Sequence, residues 1–215
     1  MVVYSAVIYK AFPDSTGVYG FKATWVGPNG IQRVSDNIPG TGDKWATAGN
    51  IVGFLTGGGY VEASITYVTS ISGLSAGWYF WCGYNGSGAY QSLSHPPPNK
   101  SLGLTLKKVG SSWHAIYNNW TDNEMYDVTI SGAPNQTLAT SSTTDKNALK
   151  HETAVNTNYC TYYDQFVDID FNNVKYLDSS GNPTSQIPAA NGKYVISALQ
   201  TCLAVDETNE KIYHL

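Results

Sequence analysis

Apolar and polar positions alternate with a period of two along most of the chain. Over residues 60–67, Val61, Ala63, Ile65 and Tyr67 fall on one face, and Glu62, Ser64 and Thr66 on the other. This is the pattern of a strand with one face turned to a core. Residues 149–156 alternate in the same way, with Lys150, Glu152, Ala154 and Asn156 sharing a face. Further strands are predicted at 18–26, 77–83, 102–109, 113–118, 124–130, 165–176, 193–205 (one strand or two) and 211–214, and 2–10 reads as an ordinary first strand. Turn-forming clusters separate them, among them Pro28-Asn29-Gly30, Gly57-Gly58-Gly59 and Asn191-Gly192. Residues 29–47 and 84–100 read as long connections, the second stiffened by Pro96-Pro97-Pro98. No helix longer than a turn or two is predicted. Many short strands at this spacing predict an all-β antiparallel sandwich, with residues 1–215 as one domain.

Composition narrows the function classes. Charged residues are 13% of the 215, against roughly 25% in an average soluble protein. The net charge is −4 and no basic cluster exists to neutralise phosphates, which argues against nucleic acid. A hydrophobic fraction of 42% argues against disorder. No apolar run reaches the roughly 18 residues of a membrane helix. Sparse carboxylates also mean that fewer native ion pairs are lost when pH falls. Together with four sequons, at Asn85, Asn99, Asn119 and Asn135, this composition suggests an extracellular, acid-stable glycoprotein. The first residues lack the features of a signal peptide, so a mature secreted form with an added start Met is expected. A monomer is expected. Three cysteines, Cys82, Cys160 and Cys202, allow one disulfide with one buried thiol, or three thiols.

The candidate chemistry lies on a few strands. Residues 77–81 are aromatic on both faces, which fits core packing or the floor of a groove. Asp168 and Asp170 share a polar face; a solvated strand face explains them more simply than a cation site. The four histidines show no ligand spacing, there is no CxxC pair for zinc, and no Gly-x-Ser-x-Gly elbow anchors a serine triad. No cofactor and no metal are expected.

Read in order, the segments resemble the glutamic peptidases, or eqolisins. The resemblance rests on Ala23-Thr24-Trp25-Val26-Gly27-Pro28, Ile51-Val52-Gly53-Phe54, Val61-Glu62-Ala63-Ser64-Ile65, Gly77-Trp78-Tyr79-Phe80-Trp81, Glu152-Thr153-Ala154-Val155-Asn156 and Val167-Asp168-Ile169-Asp170-Phe171. It spans roughly residues 4–177. It implies a two-sheet sandwich of concanavalin-like architecture and an endopeptidase working at acid pH on a polypeptide substrate. In that family a carboxylate activates water and an amide holds the oxyanion. This chain departs from the pattern. The position of the catalytic Gln holds Glu62, that of the catalytic Glu most naturally holds Asn156, and Phe80 replaces a Glu. The resemblance therefore implies an exchanged pair, with Glu62 as base and Asn156 as amide donor. Glu152 is a neighbour on the same face and the alternative catalytic Glu. Trp78, Trp81, Thr66 and Ser64 would build the substrate groove.

Two other readings share the architecture. One is a non-catalytic extracellular sandwich that binds glycan or peptide through aromatic faces, or serves as a surface structural protein. The other is a glycosidase, for which Glu62 and Glu152 are the pair of carboxylates to consider.

Overall fold

The computed structural model describes residues 2–26, 43–141, 147–155, 169–195 and 202–215. Asn156, Asp168 and Cys160 lie outside the described residues. Among those described the architecture is all-β, and every strand pair is antiparallel.

The larger sheet holds β1 (Val2–Lys10), β3 (Lys44–Phe54), β4 (Tyr60–Ser70), β5 (Gly77–Tyr84), β6 (Ser87–Ser92), β10 (Asn147–Val155) and β13 (Ala190–Val195). Its order is β13-β1-β10-β3-β4-β5-β6. The facing sheet holds β2 (Gly20–Val26), β7 (Ser101–Val109), β8 (Ser112–Asn119), β9 (Glu124–Thr129) and β12 (Asn172–Leu177), in the order β12-β2-β7-β8-β9. A small third sheet is formed by β11 (Ile169–Asp170), β14 (Leu203–Asp206) and β15 (Lys211–His214).

Alternation explains the core. Val61, Ala63 and Ile65 on β4 turn inward and meet Leu102, Leu104 and Leu106 of β7 in one buried cluster. Phe80 of β5 stacks on Tyr117 of β8, with ring centroids 5.9 Å apart. Trp113 is fully buried, and its indole N–H donates to the Gln136 carbonyl at 3.0 Å. Ile65 is wholly shielded, so Ile65→Val leaves a methyl-sized void there. This substitution is expected to cost about 1 kcal/mol in urea unfolding, with an unchanged m-value.

The single strand expected over 165–176 is divided, within its described part, between β11 of the third sheet and β12 of the facing sheet, and two further strands lie where connections were expected. Residues 44–54, partly assigned to a connection, form β3 in the middle of the large sheet. Nearly all of β3 is buried on both faces, so it lacks the alternation that marks half-exposed strands. Residues 87–92, also assigned to a connection, form β6, which closes on β5 through Asn85-Gly86. Positive φ at both residues, 49° and 76°, gives the two-residue hairpin its hand. The N-terminal strand sits inside the large sheet between β10 and β13, paired on both sides over residues 6–10.

Cys202 is disulfide-bonded, and Cys82 is a free thiol whose burial pushes its pKa up to about 11. Of the four sequons, Asn119 is buried and donates its amide to Asp122 at 2.8 Å, which closes it to a glycan in the folded chain. Asn85, Asn99 and Asn135 are exposed. Asp170 pairs with Lys211 at 2.9 Å, in keeping with a solvated face. Among the described residues no helix is long and apolar enough to cross a membrane.

Candidate active site

Buried polar groups are costly unless they are paired, so their distribution is informative. Eight polar or charged residues are buried among those described, and five of them, Thr47, Asn50, Glu62, Ser64 and Thr66, share one cleft on the large sheet. The cleft has a volume of ≈ 450 Å³ and opens on the face of the sheet turned away from the core. β4 supplies Glu62, Ser64 and Thr66, the face that alternation predicted. β10 adds Lys150 and Glu152, two residues apart and so on the same side.

The contribution of β3 depends on a bulge. Thr47 and Asn50 are three residues apart, and strict alternation would turn them to opposite faces. The β3–β4 register shifts between Thr47 and Gly49, which brings both into the cleft. The β10–β3 register also shifts, between Lys150 and Thr153. There the Glu152 backbone N–H donates to Thr47 Oγ1 at 2.8 Å, so a side chain satisfies a donor in the break of the ladder.

The two glutamates are tied together by one amide. Asn50 Nδ2 donates to Glu62 Oε2 at 3.4 Å and to Glu152 Oε2 at 3.2 Å. Glu152 Oε1 takes a bond from Ser5 Oγ at 3.3 Å and pairs with Lys150 Nζ at 3.3 Å. The carboxylates therefore face each other across a side chain that is itself buried. Asn50 Oδ1 is buried with no partner among the described residues.

Electrostatics separates their roles. Burial, then the charge of Glu152, pushes Glu62 up to about 7; Lys150 and the Asn50 bond oppose this without cancelling it. Glu62 thus holds its proton through the acid range, while Glu152 has a cation beside it. Burial alone would push Lys150 down, but the charges of Glu152 and Glu62 raise it, so it stays an ammonium. A carboxyl group buried beside a second one in this way retains its proton. Among the described residues no three His, Cys, Asp or Glu side chains are grouped to hold a metal.

Of the residues singled out in the sequence, Glu62, Glu152, Ser64, Thr66 and Trp81 meet in this cleft. Trp78 does not. It packs on the opposite side of β5, edge-on to Tyr67 at 5.2 Å, because Trp78 and Trp81 are an odd number of residues apart. The expected amide, Asn156, falls outside the described residues, and the amide in contact with both glutamates is Asn50. Asn50, Thr47 and Lys150 were not foreseen as site residues. Lys150 was placed on the right face, and its spacing from Glu152 was a readable signal.

Two solved structures share this architecture over nearly the whole chain. One is scytalido-glutamic peptidase with a transition state analog inhibitor, at a TM-score of 0.53 and 12% identity, covering 99% of this chain and 98% of that one. The other is the same peptidase with a peptide based transition state analog, at a TM-score of 0.55 and 10% identity over the same shares. The fold is the glutamic peptidase fold. No protein-family model and no curated protein matches the sequence. The likeness to the glutamic peptidase fold is thus one of backbone architecture, with most side chains changed.

Proposed function

We propose that the protein is an acid endopeptidase in which Glu152 is the general base and neutral Glu62 replaces the amide of the glutamic peptidases. The observation that carries this reading is the single Asn50 amide bonded to both carboxyl groups, one of which keeps its proton. A protonated carboxyl group has nearly the shape of a carboxamide and, like it, donates one hydrogen bond while accepting another. Glu62 stands where the sequence resemblance expects the catalytic Gln. Its Oε2 accepts from Asn50, which leaves Oε1 to carry the proton.

The steps follow from these roles. Glu152 takes a proton from water as the water oxygen bonds to the scissile carbonyl carbon. The carbonyl oxygen becomes an oxyanion, which the Glu62 hydroxyl stabilises, while the Asn50 amide holds the two carboxyl groups in place. Glu152 then passes its proton to the leaving nitrogen, the C–N bond breaks, and an acid and an amine are released. This reverses the role first expected of Glu62, because burial beside Glu152 makes it the group that retains a proton. An extracellular setting accompanies this reading, supported by the disulfide at Cys202.

Incubation with denatured casein tests the proposal. Cleavage is expected at pH 3–6 and is expected to fade as pH passes about 7, where Glu62 ionises. Absence of cleavage across that range at stoichiometric enzyme would remove the assignment.

Glycoside hydrolysis is the second reading. It is favoured by the same acid–carboxylate pair and by the indole and phenol rings of Trp45, Trp81 and Tyr90 along the cleft. Polysaccharide cleavage with no action on casein would select it.

A further inference from the structure

Beyond the two glutamates the cleft continues to a second cluster that the proposed chemistry does not use. Asp43, Trp45, Ile71, Trp81 and Tyr90 line this part. Trp81 and Tyr90 are cross-strand partners with ring centroids 6.4 Å apart at 54°, and Tyr79 braces Tyr90 edge-on at 5.8 Å. The aromatic wall is therefore braced from the side, and Trp81 and Tyr90 line the cleft.

Charge distinguishes this end. Three acidic residues line the cleft, Asp43, Glu62 and Glu152, against one base, Lys150. Lys150 is engaged by Glu152. Asp43 takes part in no hydrogen bond and no salt bridge among the described residues, and its field acts on Tyr90, whose phenol is pushed up to about 12 by burial first and then by Asp43 and Glu62. Among the described residues this half-buried carboxylate beside half-buried rings has no cation of its own.

We propose that Asp43, Trp45, Trp81 and Tyr90 form a specificity subsite for a lysine or arginine side chain of the bound polypeptide. The aliphatic stem of such a side chain lies against the rings, and its charged head reaches Asp43, combining apolar, cation–π and ionic contacts. Spacing agrees with this placement. Trp81 stands two residues along β5 from Gly83, the register partner of Glu62, a rise of about 7 Å. An extended peptide laid over the glutamates places a side chain one or two residues from the cleaved bond at that distance. The inference takes its polypeptide substrate from the proposed function.

Three peptides, identical except for Lys, norleucine or Glu at one position beside the scissile bond, test it. Affinity is measured at pH 5 by fluorescence anisotropy on the Glu152→Gln protein, so that the peptide survives, and cleavage of the same peptides is followed on the unaltered chain. The Lys peptide is expected to bind about tenfold more tightly than the norleucine peptide, with the Glu peptide weakest. Adding Asp43→Asn is expected to bring Lys to within about twofold of norleucine while leaving norleucine unchanged. Equal binding of Lys and norleucine, or a Lys preference that survives Asp43→Asn, overturns the subsite. Lys preference without cleavage keeps the subsite and removes the hydrolytic reading. Cleavage without preference does the reverse.

Discussion

Glu152→Gln is expected to lower casein hydrolysis at pH 4–5 by about 10²- to 10⁴-fold, the span associated with loss of a general base. The substitution keeps the side chain's length and most of its hydrogen-bonding capacity toward Ser5 and Lys150, so a cooperative thermal transition should persist. Activity then reports the lost carboxylate and little else. The contrast with Glu62→Gln makes the experiment decisive. If Glu62 only donates a hydrogen bond to an oxyanion, a Gln amide can do the same, and Glu62→Gln should retain activity within about tenfold at pH 4–5. A glycosidase would need Glu62 to transfer its proton to the leaving oxygen, which an amide cannot do, and Glu62→Gln would then be as damaging as Glu152→Gln. Full activity in Glu152→Gln would exclude Glu152 as the base.

How far the sequence discloses this site depends on whether a strand obeys simple alternation. β4 does, and Glu62, Ser64 and Thr66 were readable as one face. β10 does over Lys150 and Glu152. β3 does not. It is covered on both sides and carries a bulge between Thr47 and Gly49, so neither its existence nor the shared face of Thr47 and Asn50 follows from a period of two. Asn50, the side chain that links the glutamates, sits beyond that bulge. β6 was legible in principle, since Asn85-Gly86 is a strong hairpin signal between alternating residues, and the long-connection reading passed over it. Trp78 shows the opposite error. Trp78 and Trp81 were both assigned to a groove, whereas a strand delivers Trp81 to one face and Trp78 to the other. The sandwich was legible because many strands must agree on it. The site rests on parity at single residues, where one bulge reverses the answer.

The same buried acid has a consequence for stability that needs no substrate. Glu62 has an ordinary value of 4.5 and is held at about 7 in the folded chain, chiefly by burial and then by the charge of Glu152. The groups that face it are Glu152 and Lys150 on β10, Tyr60 on its own strand, and Tyr90 on β6. Below about pH 4.5 both folded and unfolded chains carry the proton, and the folded state bears no burden from this group. Between 4.5 and about 7 the unfolded chain releases its proton while the folded chain keeps it. The unfolded state then binds fewer protons, so stability falls as pH rises. A difference of this size corresponds to roughly 3 kcal/mol by the time pH exceeds the folded value. Urea unfolding from pH 4 to 8 should show that loss in the unaltered chain, and Glu62→Gln should remove it. The variant should match the unaltered chain near pH 4 and exceed it by about 3 kcal/mol near pH 8. Because other titrating groups are common to both proteins, the difference between the two curves isolates Glu62, and curves that run parallel across the range would show that it is not a buried acid. The sign matters for function as well. A site that relies on a neutral carboxyl in place of an amide works only where that carboxyl keeps its proton, and the fold bears no cost from it only at the acid end of that range, below about pH 4.5.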